Sequence, residues 1–280
     1  MNKDLIIVRG AGDLASGIIW YLKKAHFNVL ALDIKNPSCI RREVSFSEAI
    51  YDKEKTIENE TAVFCKNVDE VKDTFKENKI AIMVDEEGSI IKELKPKIVV
   101  DAIMAKKNLG TTIDMAPLVI AVGPGFTAKL DCHYVIETMR GHKLGKIYDY
   151  GSAIPNTGIP GLVAGHDKDR VIHSPAEGYF LIKKNIGDIV KKDDVIAIVK
   201  ECTKDKDGII KETGREVEVL ASIDGVLRGI LRNNFYATSG LKTADIDPRI
   251  EEKENCKTIS DKARTIAGSV LLCVNNFLNV

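Results

Sequence analysis

The sequence predicts an α/β protein in which a mostly parallel sheet domain is followed by a β-rich domain and a C-terminal helix. In residues 1–150, short apolar runs alternate with helical patterns, which is typical of βαβ units. Residues 151–165 contain two prolines and four glycines, a composition typical of a linker. Residues 166–250 show short, strand-like periods, and residues 251–280 contain an amphipathic helix from Ser260 to Asn275.

The composition narrows the class of protein. The chain has 280 residues, with 41 basic and 41 acidic side chains and 44% hydrophobic residues, so it can bury one large core or two ordinary ones. A net charge of zero argues against a protein that coats nucleic acid or an anionic membrane. No apolar run reaches the roughly 18 residues that a membrane span needs. Six cysteines without a C-x-x-C pair indicate reduced thiols, and hence a cytoplasmic protein.

The elements of the first domain follow from its apolar runs. Leu5–Val8 predicts a strand that is buried on both faces, and the amphipathic stretch Asp13–Ala25 predicts the helix that follows it. Further apolar runs predict strands at Val29–Leu32, Ile80–Val84, Ile98–Val100 and Leu118–Val122, with a helix over Asp69–Lys79. Because crossover helices make successive strands parallel, a ligand crevice is expected at the carboxyl ends of these strands.

A glycine loop joins the first predicted strand to the first helix. Gly10, Gly12 and Ala15 fit the pattern G-x-G-x-x-A, in which the glycines permit a tight turn and the approach of a phosphate. Asp33 ends the second strand, where an acid can bind a ribose hydroxyl. Asp13 lies in the first helical turn, where it caps the helix but repels a close phosphate. The pattern predicts a Rossmann-like nucleotide- or cofactor-binding domain, and a similar fold with an empty or repurposed crevice is the alternative.

Two further stretches add candidate cofactor-binding residues. Arg41 and Arg42 follow the second strand, where they are expected to bind phosphate or carboxylate, or else to form a solvated basic turn. Gly123 and Gly125 close the apolar run that ends at Val122.

The stretch Asp131–Glu137 supplies the catalytic candidates, Cys132 and His133. Asp131 fits a helix N-cap, which places Cys132 in a first turn where the helix dipole favours a thiolate. His133 and Glu137 are four residues apart and share a face of that predicted helix. The thiolate is expected to act as a nucleophile, a sulfur or selenium relay, or a ligand for a soft metal; the alternative is a buried thiol beside a capping histidine.

The β-rich segment contains a weak internal repeat. Pro175–Gly178 and Ser222–Gly225 both end in an acidic residue and a glycine, and the sequence around each resembles one half of a biotinyl/lipoyl-type fold, a barrel-sandwich hybrid. The join between the halves, Glu201–Val217, lacks the Met-Lys-Met of a carrier protein, so we predict this domain without a carrier lysine. Asp245–Arg249 resembles an acidic metal-binding loop. Because it lacks the remaining ligand spacing of a calcium site, a charged turn is the favoured interpretation. No metal site is predicted.

Several stretches together resemble the selenium-dependent molybdenum hydroxylase system proteins, the YqeB-type accessory family. The matching stretches are RGAGDLASG, IRREVSFSEAIYD, VDAIMAKKN, VGPGFTAKLDCHYVIETMRGHKLG, SAIPNTGIPG and GLKTADIDPR. The first domain is also distantly similar to the Rossmann domain of XdhC-type maturation factors. The resemblance implies a cytoplasmic accessory or maturation factor for a molybdenum hydroxylase, and it supplies no reaction, so whether the chain is an enzyme stays open.

The resemblance also implies a cofactor and partners. A molybdopterin cytosine dinucleotide suits the Gly10–Ala15 loop, and the expected partners are the hydroxylase apo-enzyme, other maturation factors or a second copy of the chain, with no nucleic acid or membrane. One alternative is an NAD(P)-dependent oxidoreductase, in which His133 donates the proton. The other is a non-catalytic scaffold whose β-rich domain docks a partner.

Overall fold

The structure is a computed structural model that describes residues 4–158, 165–166, 168–206 and 208–279. The chain forms two compact units. Unit 1 contains the residues up to Pro37, Val44–Thr157 and the residues from Ile259 onward; unit 2 contains Ser38–Glu43 and Gly158–Thr258. The predicted linker 151–165 falls partly outside the described residues, because residues 159–164 are not among them.

Unit 1 is built on a nine-stranded sheet. The strands of this unit are β1 (Leu5–Arg9), β2 (Asn28–Asp33), β3 (Glu54–Ile57), β4 (Glu60–Phe64), β5 (Ile80–Val84), β6 (Ile98–Asp101), β7 (Leu118–Val122), β8 (Thr127–Ala128), β9 (Tyr134–Ile136), β10 (Ile147–Tyr148) and β11 (Gly151–Ser152). The order across the sheet is β10-β9-β7-β6-β1-β2-β5-β4-β3, and β8 pairs with β11 separately. The strands from β4 to β9 in this order are parallel, while β3 and β10 close the two edges in antiparallel pairing.

Five α-helices accompany these strands among the described residues: α1 (Asp13–Lys24), α2 (Ala49–Asp52), α3 (Val68–Lys76), α4 (Ile90–Leu94) and α5 (Asp261–Leu278). The helices predicted at the glycine loop and near the C-terminus are confirmed by α1 and α5. The side chain of Ser260 caps α5 by accepting the N–H of Ala263. A Cβ on Gly17 of α1 would lie 2.9 Å from the Cβ of Ala263, so these two helices pack with their backbones close together.

The core of unit 1 explains why its central strands are apolar without interruption. In β1, Ile6 and Val8 pack with the helix residues Ile18 and Ile266 on one face of the sheet, whereas Ile7 packs with a second buried cluster on the other face. All three side chains are fully buried. A strand covered on both faces cannot alternate between apolar and polar residues, so its sequence is a continuous apolar run.

Unit 2 contains two antiparallel sheets. Its strands are β12 (Val171–His173), β13 (Gly178–Ile182), β14 (Ile189–Val190), β15 (Val195–Lys204), β16 (Ile210–Leu220), β17 (Gly225–Ile230), β18 (Phe235–Ala237) and β19 (Lys242–Asp247). The sheet orders are β12-β19-β17-β14 and β16-β15-β13-β18. The two glycines of the predicted repeat, Gly178 and Gly225, begin one strand in each sheet, where a Cβ would collide with a carbonyl oxygen of the neighbouring strand. Ile40 joins the core of this unit, although it comes from the early part of the chain.

The predicted fold class is wrong. The structure is α/β with one large mixed sheet and separate antiparallel sheets, and it does not show a Rossmann-like domain followed by a biotinyl/lipoyl-like domain and a separate C-terminal helix. Apolar runs predict individual strands, but they do not indicate which short strand closes an edge. They also give no sign that residues 38–43 join unit 2, or that α5 belongs to unit 1.

No helix within the described residues has the length and apolar character needed to cross a membrane.

Candidate ligand-binding site in unit 1

The glycine loop connects β1 to α1 at the carboxyl edge of the parallel strands. Gly10 has a φ of +97°, and a Cβ there would lie 2.8 Å from the carbonyl oxygen of Ala102. Its N–H donates to the carbonyl of Leu32 at 2.6 Å. These restraints require glycine at position 10. Gly12 is the N-cap of α1 and provides no side-chain cap, so Asp13 begins a helix whose N-terminus faces this edge of the sheet.

Asp33 lies beside the loop, as the sequence predicts, but its carboxylate holds protein backbone. One oxygen accepts the N–H of Ala11 and the other accepts the N–H of Ile34, both at 2.8 Å. Burial raises the pKa of Asp33, and these two hydrogen bonds oppose the shift. The geometry therefore assigns Asp33 the role of clamping the glycine loop to the end of β2.

The segment before α2 covers one side of the same loop. Ser16 donates its hydroxyl to the carbonyl of Ala11 at 3.0 Å and accepts the N–H of Phe46 at 2.8 Å. The N–H of Ser47 donates to the same Ala11 carbonyl at 2.9 Å. Ala15 is buried beneath, in agreement with the close packing predicted for that position. The loop is therefore fixed before any ligand binds.

The loops that follow β6 and β7 pack against each other at this edge. Gly123 donates its N–H to the carbonyl of Ile136, and a Cβ on Gly125 would lie 2.6 Å from the Cα of Lys107. Met104 and Lys106 both have a φ of +64°, which side-chain-bearing residues rarely adopt. Such conformations persist only where the surrounding structure enforces them, and they are common at binding sites. The structure thus brings the glycines at 123 and 125 to the loop that contacts Gly10.

A lysine that the sequence analysis missed lies near the start of α1. Lys262, in the first turn of α5, is partly buried and makes no ion pair with any other described residue. Desolvation lowers the pKa of Lys262 and the charge of Arg140 lowers it further, while the carboxylates of Asp13, Asp261 and Glu137 oppose the shift. Arg140 itself forms a two-pronged ion pair with Asp261 at 2.8 and 3.0 Å. Lys262 therefore supplies positive charge close to the carboxylate of Asp13.

A buried network of Arg9, Asp101 and Thr111 lies at the carboxyl ends of β1 and β6. Arg9 ends β1, is 1% exposed, and lies 3.7 Å from the carboxylate of Asp101 at the end of β6. The hydroxyl of Thr111 accepts from Arg9 and donates to Asp101, and the N–H of Ile103 also donates to that carboxylate. Burial raises the pKa of Asp101, while Thr111, Ile103 and Arg9 oppose the shift. The network fixes the start of the loop that contacts Gly10.

The helix predicted over Asp131–Glu137 is absent, and a strand takes its place. Residues 134–136 form β9 beside β7, so His133 and Glu137 fall at opposite ends of a strand. The buried carboxylate of Glu137 accepts the N–H groups of Thr138, Met139 and Ile154 at 2.8–2.9 Å. The apolar residues Val135 and Ile136 fit either a short strand or a helix, and the sheet edge beside β7 decides between them.

The catalytic candidates Cys132 and His133 do not lie with the glycine loops. Both precede β9, whereas the glycine loops follow β1 and β7. Cys132 is fully buried, and desolvation together with the charge of Asp131 raises its pKa to about 12, so the thiol is protonated at neutral pH. His133 Nδ1 accepts the N–H of Val119 at 3.0 Å, and desolvation lowers its pKa. Without a helix N-terminus, the physical basis for a thiolate at position 132 is lost.

Arg41 and Arg42 belong to unit 2, not to the unit that contains the glycine loop. Arg41 is 4% exposed and donates to the carbonyl of Thr258 at 3.1 Å, and Arg42 donates to the carbonyl of Ile230 at 2.9 Å. Both guanidinium groups thus contact backbone of their own unit.

The chain is similar in sequence to a curated protein whose name states no activity. It is 44% identical over 270 residues to the uncharacterized protein YqeB of Escherichia coli strain K12, and the match covers 96% of this chain and 47% of that protein. The chain therefore spans about half the length of this curated relative. No family model matches the chain.

The solved structures that match this chain have low sequence identity to it and low structural overlap with it. The product-bound ectoine utilization protein EutE (DoeB) of Ruegeria pomeroyi is 12% identical with a TM-score of 0.28, covering 87% of this chain and 85% of that one. An aspartoacylase family protein of Mesorhizobium loti is 9% identical with a TM-score of 0.29, and the match covers 89% of this chain and 86% of that one. A succinylglutamate desuccinylase/aspartoacylase of Rhodobacter sphaeroides is 11% identical with a TM-score of 0.30, and the match covers 88% of this chain and 86% of that one. These TM-scores are too low to assign this chain a fold or an activity.

These findings overturn the expected family and function. The sequence relative is uncharacterized, and neither it nor the three solved structures links this chain to XdhC-type maturation factors. The prediction of a role in selenium-dependent molybdenum hydroxylase maturation is therefore wrong for this chain. The cofactors expected at the glycine loop are not tested by these comparisons and stay predictions. The expected protein partners stay predictions.

Two of the three residues that the sequence did not predict, Arg9 and Asp101, carried a weak signal. Arg9 and Asp101 each end an uninterrupted apolar run, and a charge at the end of a buried strand indicates a buried partner. Lys262 carried no signal, because its role depends on α5 returning to pack against α1.

Proposed function

We propose that unit 1 binds a small phosphate-bearing molecule at the glycine loop. The observation that carries this proposal is the position of Lys262 beside the N-terminus of α1. A helix N-terminus attracts an anion through its N–H groups and its dipole, and a lysine nearby adds a full positive charge. The sequence places the carboxylate of Asp13 in the first turn of α1, where it repels a phosphate. The positive charge of Lys262 offsets that repulsion.

The partial burial of Lys262 supports the same proposal. Desolvation makes the charged ammonium group costly in the absence of a ligand, and no described carboxylate forms an ion pair with it. The carboxylates of Asp13, Asp261 and Glu137 act on Lys262 without forming an ion pair, and a bound phosphate would add a counter-charge in direct contact. Lys106 and Lys107, on the exposed loop that packs against Gly125, extend the positive charge at this edge of the sheet.

The proposal is for binding and includes no catalytic step. The sulfur of Cys132 is buried and protonated, and the imidazole of His133 accepts a backbone N–H, so neither side chain supplies a nucleophile or base at the glycine loop. We also propose a cytoplasmic location. Within the described residues none of the six cysteines forms a disulfide, which agrees with a reducing compartment.

Calorimetric titration of the whole chain with pyrophosphate, at constant ionic strength, tests the proposal. We expect Lys262→Gln to weaken binding by about ten-fold, as for the loss of one charge-assisted hydrogen bond, and Lys262→Arg to retain most of it. Lys72→Gln is the matched control, because Lys72 is an exposed helical lysine of the same unit. Equal affinities for wild type and Lys262→Gln, or no binding to wild type, would contradict the proposal.

A further inference from the structure

A second cluster of positive charge lies in unit 2, around the stretch that the sequence analysis described as a metal loop or a charged turn. Asp245 is 3% exposed and its carboxylate accepts from two arginines, Arg170 through one oxygen and Arg228 through the other at 3.1 Å. Asp247 is equally buried and accepts from Arg249. Both carboxylates therefore form ion pairs with arginines. Among the described residues, no cluster of His, Cys, Asp or Glu side chains has an arrangement that could hold a metal ion.

Two β-bulges direct basic side chains toward Asp245. Between β17 and β19, Leu227 pairs with Ile246 and Gly229 with Asp245, so Arg228 is an extra residue in its strand. A bulge of this kind bends the strand and redirects the side chain of the extra residue. Arg228 consequently reaches the carboxylate of Asp245, although its two neighbours occupy regular ladder positions.

The second bulge changes the face on which Lys242 lies. Between β12 and β19, Ile172 pairs with Ala244 and His173 with Lys242, which leaves Thr243 as the extra residue. Because paired residues share a face and successive residues of β12 alternate, Lys242 lies on the face opposite to Ala244. Asp245 also lies on that face. Without the bulge, Lys242 would point with Ala244 toward the core.

The electrostatics of the cluster agree with this placement. Lys242 is exposed to solvent overall, yet desolvation lowers the pKa of its ammonium group; the charge of Asp245 opposes the shift, and Arg170 and Arg228 add to it. Three cationic side chains are thus within electrostatic reach of one buried carboxylate. Lys242 forms no ion pair with another described residue, so the cluster holds more positive than negative charge.

One polar atom of the cluster also lacks a partner. Arg170 is 8% exposed, and its Nε is buried without an acceptor in the part of the chain that the structure describes. A buried guanidinium N–H without a partner is costly, and an oxyanion is the group that arginine binds best. The excess charge and the unmet donor are independent observations that indicate the same kind of ligand.

We infer that unit 2 holds a binding site for a compact oxyanion of the phosphate class, formed by Lys242, Arg228 and Arg170 around Asp245. Lys242 contributes an exposed positive charge, and the two arginines contribute donors that Asp245 orients. This site is separate from the glycine loop and does not depend on the function proposed for unit 1. The two β-bulges are the structural devices that form it.

The test is calorimetric titration of the whole chain with inorganic phosphate, at constant ionic strength, in the Lys262→Gln background. We expect Lys242→Gln to weaken phosphate binding by about ten-fold and Lys242→Arg to restore it to within about three-fold of Lys242. Lys192→Gln, which alters another exposed lysine of unit 2, is the control and should leave the affinity unchanged.

The variants separate this inference from the proposal for unit 1. Lys242 is exposed, so its substitution leaves the fold intact, and the thermal unfolding midpoint of each variant verifies this. If Lys242→Gln binds phosphate as tightly as its parent, or if the parent does not bind phosphate, the site in unit 2 does not exist. If Lys262→Gln weakens pyrophosphate binding while Lys242→Gln has no effect on phosphate binding, the proposal for unit 1 is supported and the site in unit 2 is refuted.

Discussion

Replacing Gly17 by alanine tests the close packing of α1 on α5, which brings Lys262 to the glycine loop. A Cβ on Gly17 would lie 2.9 Å from the Cβ of Ala263 and 3.2 Å from its carbonyl carbon and oxygen. Non-bonded carbons prefer about 3.5–4.0 Å, and the methyl group of an alanine cannot rotate away. The two helices must therefore separate, which also displaces the first turn of α5.

The magnitude follows from two opposing effects. Alanine gains about 1 kcal/mol over glycine in a helix interior, whereas overpacking a tight contact costs about 1–3 kcal/mol. Gly268 is the matched control, because it lies on the exposed face of α5 and a Cβ there meets nothing within 4 Å. We expect Gly268→Ala to stabilise the protein and Gly17→Ala to be less stable than Gly268→Ala by about 1–3 kcal/mol.

Urea unfolding followed by tryptophan fluorescence measures this difference. Trp20, the single tryptophan, lies in α1 and donates its indole N–H to the carbonyl of Glu58, so its emission reports on unit 1. The unfolding midpoint should fall for Gly17→Ala relative to Gly268→Ala with an unchanged slope. If both substitutions stabilise the protein equally, α1 and α5 do not pack as described, and the position of Lys262 loses its support.

Three further outcomes follow from the same geometry. Arg9→Met should destabilise unit 1 by about 3–5 kcal/mol in the urea assay, because it leaves the carboxylate of Asp101 buried without its cation. The double variant Arg9→Met/Asp101→Leu should recover much of that loss. An equal loss in the single and the double variant would show that Arg9 and Asp101 do not form a buried ion pair. Iodoacetamide labelling of the native protein at pH 8, mapped by mass spectrometry, should modify the partly exposed Cys39 before the buried Cys132, whose pKa of about 12 keeps it protonated; early labelling of Cys132 would refute its burial. In the Lys242→Gln background, pyrophosphate affinity should fall as pH rises through the lowered pKa of Lys262, below the ordinary value of 10.5, whereas Lys262→Arg should keep its affinity over that range.

The local elements of unit 1 were predictable because burial on both faces leaves a simple pattern. The runs at Leu5–Val8 and Leu118–Val122 match β1 and β7, and the cap at Ser260 marks the start of α5. The glycine loop was also predictable, since a positive φ and a close backbone contact at Gly10 require glycine. These features depend on interactions between residues that are close in sequence or on one face of one element.

The remaining features depend on contacts between distant parts of the chain. Whether Val135 and Ile136 form a strand or a helix depends on the edge of β7, which no local pattern reveals. The position of Arg42 after β2 predicts either binding of a phosphate or carboxylate or a solvated basic turn, yet residues 38–43 join unit 2. The bulge at Thr243, which alters the face of Lys242, arises from pairing with β12 and cannot be read from β19 alone. Local periodicity contains no information on any of these pairings.

A crystal structure of the Lys242→Gln variant with bound pyrophosphate would show whether the glycine loop and Lys262 bind a phosphate. This variant removes the charge that we assign to the second site and leaves unit 1 unchanged. We expect a phosphate group at the N-terminus of α1, between the backbone at Gly12 and the ammonium group of Lys262. Pyrophosphate bound elsewhere in unit 1, with Lys262 turned away from it, would show that the glycine loop is not the binding site.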